Sequence, residues 1–263
     1  MERKMYKIIV RLTLLACFCG ICGCMTNQVQ KKYYEKGRYE MAIDNFREKA
    51  EEQDAFLKLA YQYYEKDEFK AAAKWFHSSA TQGNAYAQCA LGCMYRDGLG
   101  VIKNYREAVK WFKKSAAQQN PYAQNALAYL WAIKGETVGD DEYLAEKAYH
   151  SIIGSDLNTA LKMSESAVKK MPDKGEFIDT LGWIYYKQDR YKDAVETLEK
   201  AVKLTSHPVV KYHLGEAYYK AGQPEKAMAM WQEALKVTKD NVLIKKLDRS
   251  IEDFNRQKAN EAQ

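Results

Sequence analysis

The chain has 263 residues, 47% hydrophobic and 29% charged, with four prolines and no Gly/Ser-rich run, which argues for an ordinary folded or repeat protein and against linkers. Its net charge of +6 falls to +3 without the first 23 residues, where Arg3, Lys4, Lys7 and Arg11 outweigh Glu2. Elsewhere lysines alternate with Glu and Asp, so the charge makes no basic stripe and excludes nucleic acid as an expected partner.

The N-terminus reads as an export signal. Met1 to Arg11 is basic, and the twelve residues Leu12 to Gly23 are apolar or small. That run is too short to span a bilayer, which needs about 20 residues, and fits the apolar region of a secretory signal. It closes on Ile21-Cys22-Gly23-Cys24, which resembles a bacterial lipobox. The resemblance implies removal of residues 1–23 and a diacylglycerol on the Cys24 thiolate. Leu14-Leu15-Ala16-Cys17 fits the same letters but leaves five apolar residues after Arg11, so Cys24 is preferred. An uncleaved anchor and plain secretion are the other readings. Met25, rather than Asp, follows Cys24. In enteric-type lipoproteins that implies the outer membrane, with the chain facing the periplasm. Each buried CH2 of the acyl chains contributes about 0.8 kcal/mol, and more than one chain anchors stably.

Beyond Cys24 one spacing recurs. Tyr33, Gly37, Tyr39, Ala42 and Phe46 are followed by Ala60, Tyr63, Phe69, Ala72 and Phe76, with Asp54 as the N-cap of the second unit. In the third, Ala85 to Ala117, a longer loop at Gly98–Asn104 separates the helices. The fourth opens on Asn120-Pro121, an N-cap followed by proline in the first turn. Ala123 to Leu127 then copies Ala87 to Leu91. After Gly135 two helices compete for the next place, 140–153 and 156–171, and residues 136–155 are read as a helical insertion. Leu181 to Ala201 is the clearest unit: a helix, a tight turn at Gln188–Arg190, and a second helix, with Gly182 and Ala194 small enough to let the two cross closely. Gly215, Tyr218, Gly222, Ala227, Trp231 and Ala234 repeat it 33 residues later. Val242, Ile244, Leu247 and Ile251 are expected to cover the last repeat, with Lys245, Lys246, Asp248 and Arg249 in water and the tail frayed after Arg256.

These spacings resemble the tetratricopeptide repeat, and Ala85–Ala117 closely resembles its longer cousin, the Sel1-like repeat. The resemblance implies an all-α, right-handed superhelical solenoid. Its expected parts are a signal peptide at 1–23, repeats one to three and the first helix of repeat four at 24–135, the insertion at 136–155, tetratricopeptide repeats at 156–236, and a capping helix and tail at 237–263.

Chemistry is sparse. His77, His150, His207 and His213 have no convincing metal-ligand spacing, no phosphate loop or nucleophile motif is present, and neither catalytic residues, metal nor cofactor is expected. Cys89 and Cys93 lie one helical turn apart and are read as two small, partly buried thiols, because a disulfide needs Cβ atoms closer than that spacing gives. The 20 tyrosines are the stronger lead. Tyr63, Tyr95, Tyr185 and Tyr218 take packing positions. On the other face of the first helices lie Tyr34, Tyr61, Tyr64, Tyr86, Tyr122 and Tyr129, then Trp183, Tyr186, Tyr212 and Tyr219, with Lys31, Asn125, Asp179 and Glu216 beside them. In tetratricopeptide proteins that face lines the concave groove for extended peptides, and such rings suit recognition; alternatively they shield the inner wall. By resemblance the chain is a non-catalytic, lipid-anchored adaptor for a protein partner, like lipoproteins that pilot pilus secretins or recruit cell-wall enzymes. The mixed layout also resembles the scaffold lipoprotein of alginate export, which would bring glycan to the groove. An enzyme is a third reading with no nameable active site.

Overall fold

The computed structural model describes residues 54–132 and 157–261. The expected signal sequence, Cys24, the expected first repeat with Tyr34, and the segment read as an insertion at 136–155 lie outside them. Eleven helices are described: α1 (Ala55–Glu65), α2 (Phe69–Thr81), α3 (Ala85–Asp97), α4 (Tyr105–Ala117), α5 (Pro121–Ala132), α6 (Leu157–Lys170), α7 (Gly175–Lys187), α8 (Tyr191–Leu204), α9 (Pro208–Lys220), α10 (Pro224–Val237) and α11 (Asn241–Glu261). No strand occurs among the described residues.

Consecutive helices pack as antiparallel pairs, α1 with α2 through α9 with α10, and α11 closes the last pair. Each second helix also packs on the next first helix, and α5, α7, α9 and α11 touch in succession as an inner layer. The pairs close because small residues sit at the crossings. Ala72, Ala108, Ala160, Ala194 and Ala227 are fully buried, one in each second helix. Facing them, a Cβ on Gly182 would stand 2.6 Å from Leu198 Cγ, and one on Gly215 2.4 Å from Trp231 Nε1. Real Cβ atoms do not approach so closely, so alanine at either place would force the helices apart. Ala160 puts α6 in register with the other second helices, and α6 packs on α5.

Side chains at the helix starts tie the pairs together. Asp54 accepts from Leu57 N as the N-cap of α1, while its second oxygen accepts from Ser79 Oγ and from Asn84 Nδ2 at 3.0 Å. Asn84 in turn caps α3. Ser115 Oγ donates to Ala85 O at 2.6 Å, Gln118 Nε2 to Gly83 O at 2.8 Å, and Ser166 Oγ to Gln124 Oε1 at 3.1 Å. Each of these bonds stays within one repeat or reaches its neighbour.

The cap differs from expectation. Val242 is 44% exposed, whereas Leu243 and Leu247 are buried and Ile251 and Phe254 pack beside them. The buried stripe therefore begins one residue later, at 243, 247, 251 and 254, the period of a single helix face. Lys246 is half-buried, its ammonium 6.0 Å from the Tyr212 ring centre. The helix runs on to Glu261 instead of fraying after Arg256.

Candidate partner-binding wall

The first helices carry the residues expected to line a groove, and the structure sorts them into two groups. Tyr61, Tyr64 and Trp183 are core side chains, at 4%, 5% and 2% exposure. Tyr61 meets the Phe76 ring edge-on at 5.0 Å, and Tyr64 meets Phe69 at 5.2 Å. Both therefore point into their own second helix. Trp183 instead lies between rings, parallel to Tyr186 at 4.4 Å and to His213 at 4.0 Å. It fills the seam between α7 and α9. The assignment of these three to an open surface is corrected. A first helix here buries two faces, one on its partner helix and one on the next first helix, so more of its circumference is core than a two-sided scheme allows. The complementary expectation shifts too: Tyr63, Tyr95 and Tyr185 are only half-buried, and Tyr218 alone of that set is buried.

Tyr86, Tyr122, Asn125, Tyr129, Tyr186, Tyr212 and Tyr219 remain half-buried on α3, α5, α7 and α9. Several bridge successive helices. Tyr122 contacts Phe177 edge-on at 5.4 Å, Tyr212 lies 6.3 Å from Trp183, and Tyr219 lies 6.4 Å from Phe254. Asn125 leaves its buried Oδ1 without a hydrogen-bond partner. Burial, with Tyr86 and Cys89 nearby, pushes the Tyr122 phenol well above its ordinary range.

Sequence reasoning missed the pairing of Asp179 with His213. Asp179 Oδ1 and His213 Nδ1 stand 2.8 Å apart, and the residues are 6% and 3% exposed. Thirty-four residues separate them, one repeat. The signal was present: Asp179 precedes Gly182 by three residues and His213 precedes Gly215 by two, so repeat register alone brings them to adjoining helices. The other described histidines stand apart: His77 is exposed, and His207 caps α9 by accepting from Val209 N.

Cys89 and Cys93 form no disulfide, the first being buried and the second half-buried. The Cys93 thiol hydrogen-bonds to Cys89, and this bond together with burial pushes the Cys89 thiol up. Tyr61 feels both sulfurs, and its phenol is pushed far up by burial first of all. Among the described residues no group of three or more His, Cys, Asp or Glu could hold a metal ion, and no helix is long and apolar enough to cross a membrane.

The repeat pattern is matched independently. A Sel1 repeat model matches residues 62–84 and 85–120, and a model described as anaphase-promoting complex, cyclosome, subunit 3 matches residues 154–234. Each model covers less than half of the chain, so the chain is similar to Sel1 repeats over 62–120 and to the second model over 154–234, and its described residues form paired helices throughout. That fold generally serves as a protein-interaction scaffold, and no catalytic family is indicated. Similar solved structures include a Sel1 repeat protein from Oxalobacter formigenes, 25% identical, covering 80% of this chain and 83% of its own, with TM-score 0.49. A thermophilic TPR protein of Thermus thermophilus is 20% identical over 74% of this chain and 97% of its own, with TM-score 0.49. MamA from Desulfovibrio magneticus is 15% identical over 69% and 92%, with TM-score 0.46. No curated protein matches the sequence. The fold assignment rests on the helix pairs and the repeat models.

Proposed function

We propose that the chain is a lipid-anchored adaptor at the outer membrane, facing the periplasm, that holds an extended protein segment against the tyrosine-lined wall of its first helices during assembly of an envelope complex. The carrying observation is the half-buried row Tyr86, Tyr122, Tyr129, Tyr186, Tyr212 and Tyr219, which recurs on α3, α5, α7 and α9. These rings offer large, rigid contact area with a hydrogen-bonding tip. The lipobox at Cys24 supports the anchor.

The test uses the full chain in membranes. Partners cross-linked to wild type are identified, then the capture is repeated with Tyr186→Ala/Tyr212→Ala. Aromatic anchors of an interface contribute about 2 kcal/mol or more each, so binding falls at least tenfold in a variant that keeps its helical circular dichroism. A folded variant that captures the same proteins as efficiently as wild type overturns the groove. Cys24→Ser moves the folded chain to the soluble fraction; sedimentation with membranes overturns the anchor.

A further inference from the structure

We propose that the buried Asp179–His213 pair is a positioning device for the wall of first helices: it fixes how α9 lies against α7, and with it the setting of Tyr186 and Tyr212, while adding little to the stability of the fold. The proposal rests on the reading of that wall as a partner surface. Asp179 and His213 are the one carboxylate and the one imidazole that are buried among the described residues, and they bond to each other where α7 and α9 touch. An ionised carboxylate only accepts, so His213 Nδ1–H is the donor. Such a bond is directional, whereas the apolar contacts around it hold over a range of slides and rotations. A shifted α9 would leave a buried carboxylate unpaired, so the pair selects one docking from the several that apolar packing alone would accept.

The selection reaches the wall through rings. His213 is stacked on Trp183 at 4.0 Å, and Trp183 on Tyr186 at 4.4 Å, so a continuous column of rings runs from the buried pair to a half-buried tyrosine. Tyr212, next to His213 in the chain, tilts against His213 at 5.7 Å and against Trp183 at 6.3 Å. Both tyrosines therefore take their places from the docking of α9 on α7. Stability is a poor reason to keep such a pair. Taking two ionisable groups out of water offsets much of their attraction, and an apolar pair of similar volume is often neutral or stabilising in their place. An apolar pair would lack the direction.

The test needs no partner. Fluorotyrosine is placed at position 186, and separately at 212, in the full chain, and its fluorine resonance is recorded beside urea unfolding. Wild type is expected to give a single sharp line at each position. Asp179→Ala/His213→Leu should unfold at or above the wild-type urea midpoint, yet give split or broadened lines at both positions as α9 samples several dockings. Asp179→Asn, which keeps an acceptor for Nδ1–H, should retain the single line. Sharp single lines in a folded apolar variant overturn the proposal, as do split lines in wild type or in Asp179→Asn. Asp179→Val/His213→Val guards against a packing accident: if both apolar variants unfold clearly below wild type, or neither folds, the pair serves stability and the proposal falls. Failure of the wall as a partner surface would appear instead in the capture experiment with Tyr186→Ala/Tyr212→Ala, and would leave these lines as they are.

Discussion

Trp183 is a residue whose role follows from its neighbours rather than its type. Stacked between Tyr186 and His213 and 2% exposed, it is a seam-filling ring. Trp183→Ala should cost about 3–5 kcal/mol in urea unfolding, whereas Tyr186→Ala, half-buried, should cost about 1 kcal/mol. Near-equal midpoints for the two variants would contradict this division. Tyr218 gives a pH dependence. Its hydroxyl donates to Glu199 Oε1 at 2.6 Å, and burial followed by this bond pushes the phenol up to about 12. The unfolded chain ionises at about 10, so the fold favours the neutral form. The stability that this preference contributes is fully present below about pH 10 and is lost as pH rises from there towards 12. Tyr218→Phe should flatten the decline of unfolding free energy in that window; an unchanged slope counts against it. At this scale the sequence was only half legible. Periodicity separated two sets of aromatics on the first helices, but Tyr61, expected on the groove face, is buried, and Tyr63, expected to pack, is half-buried, because a helix with two buried faces leaves little room for error.

Among the elements, the Gly98–Asn104 loop is the one that departs from a plain tetratricopeptide turn. Gly98 ends α3 in the left-handed region, and Asn104 caps α4 by accepting from Glu107 N. Between them Gly100 has φ +70°, and a Cβ there would lie 2.1 Å from the Phe69 carbonyl oxygen of the preceding repeat. The loop is thus pressed backbone to backbone on the start of α2. Gly100→Ala should cost about 1–3 kcal/mol for the backbone conformation, with the clash in addition. Gly98→Asn, in a conformation that asparagine tolerates, should cost under about 1 kcal/mol. Thermal melts of the two variants decide it: comparable losses would mean that the contact with α2 is dispensable. The extra loop length was plain from the spacing, as were the N-caps at Asp54 and Asn120, because capping is local chemistry. The onset of the α11 stripe was not, because Val242 and Leu243 are interchangeable by composition and only docking on α10 chooses between them.

For the whole molecule, stability should be nearly one-dimensional, since each pair contacts little beyond its neighbours. Leu247, fully buried, is the centre of the cap. Leu247→Asp should free α11 and then expose α9 and α10, while α3 to α5 keep their protection; hydrogen exchange followed by mass spectrometry reads the gradient. Uniform loss along the chain would show a single cooperative unit instead. The solenoid class itself was legible because the same small and large residues recur every 30 to 36 positions between Ala42, Ala72 and Ala108 and from Ala194 to Ala227. The Asp179–His213 pair was not, because it depends on which of several inner positions meet across a seam.

The clamps at the helix starts bear on how such a chain carries tension. Asp54 with Ser79 and Asn84, Ser115 with Ala85, and Ser166 with Gln124 each close one repeat or join it to the next. A pull between the two ends therefore loads these fastenings in series rather than in parallel. The chain yields at its weakest junction first, then at the next, and lengthens in steps of one helix pair. Held at one end and gripped along its wall, it would act as a compliant tether that gives ground gradually while the remaining repeats keep their shape.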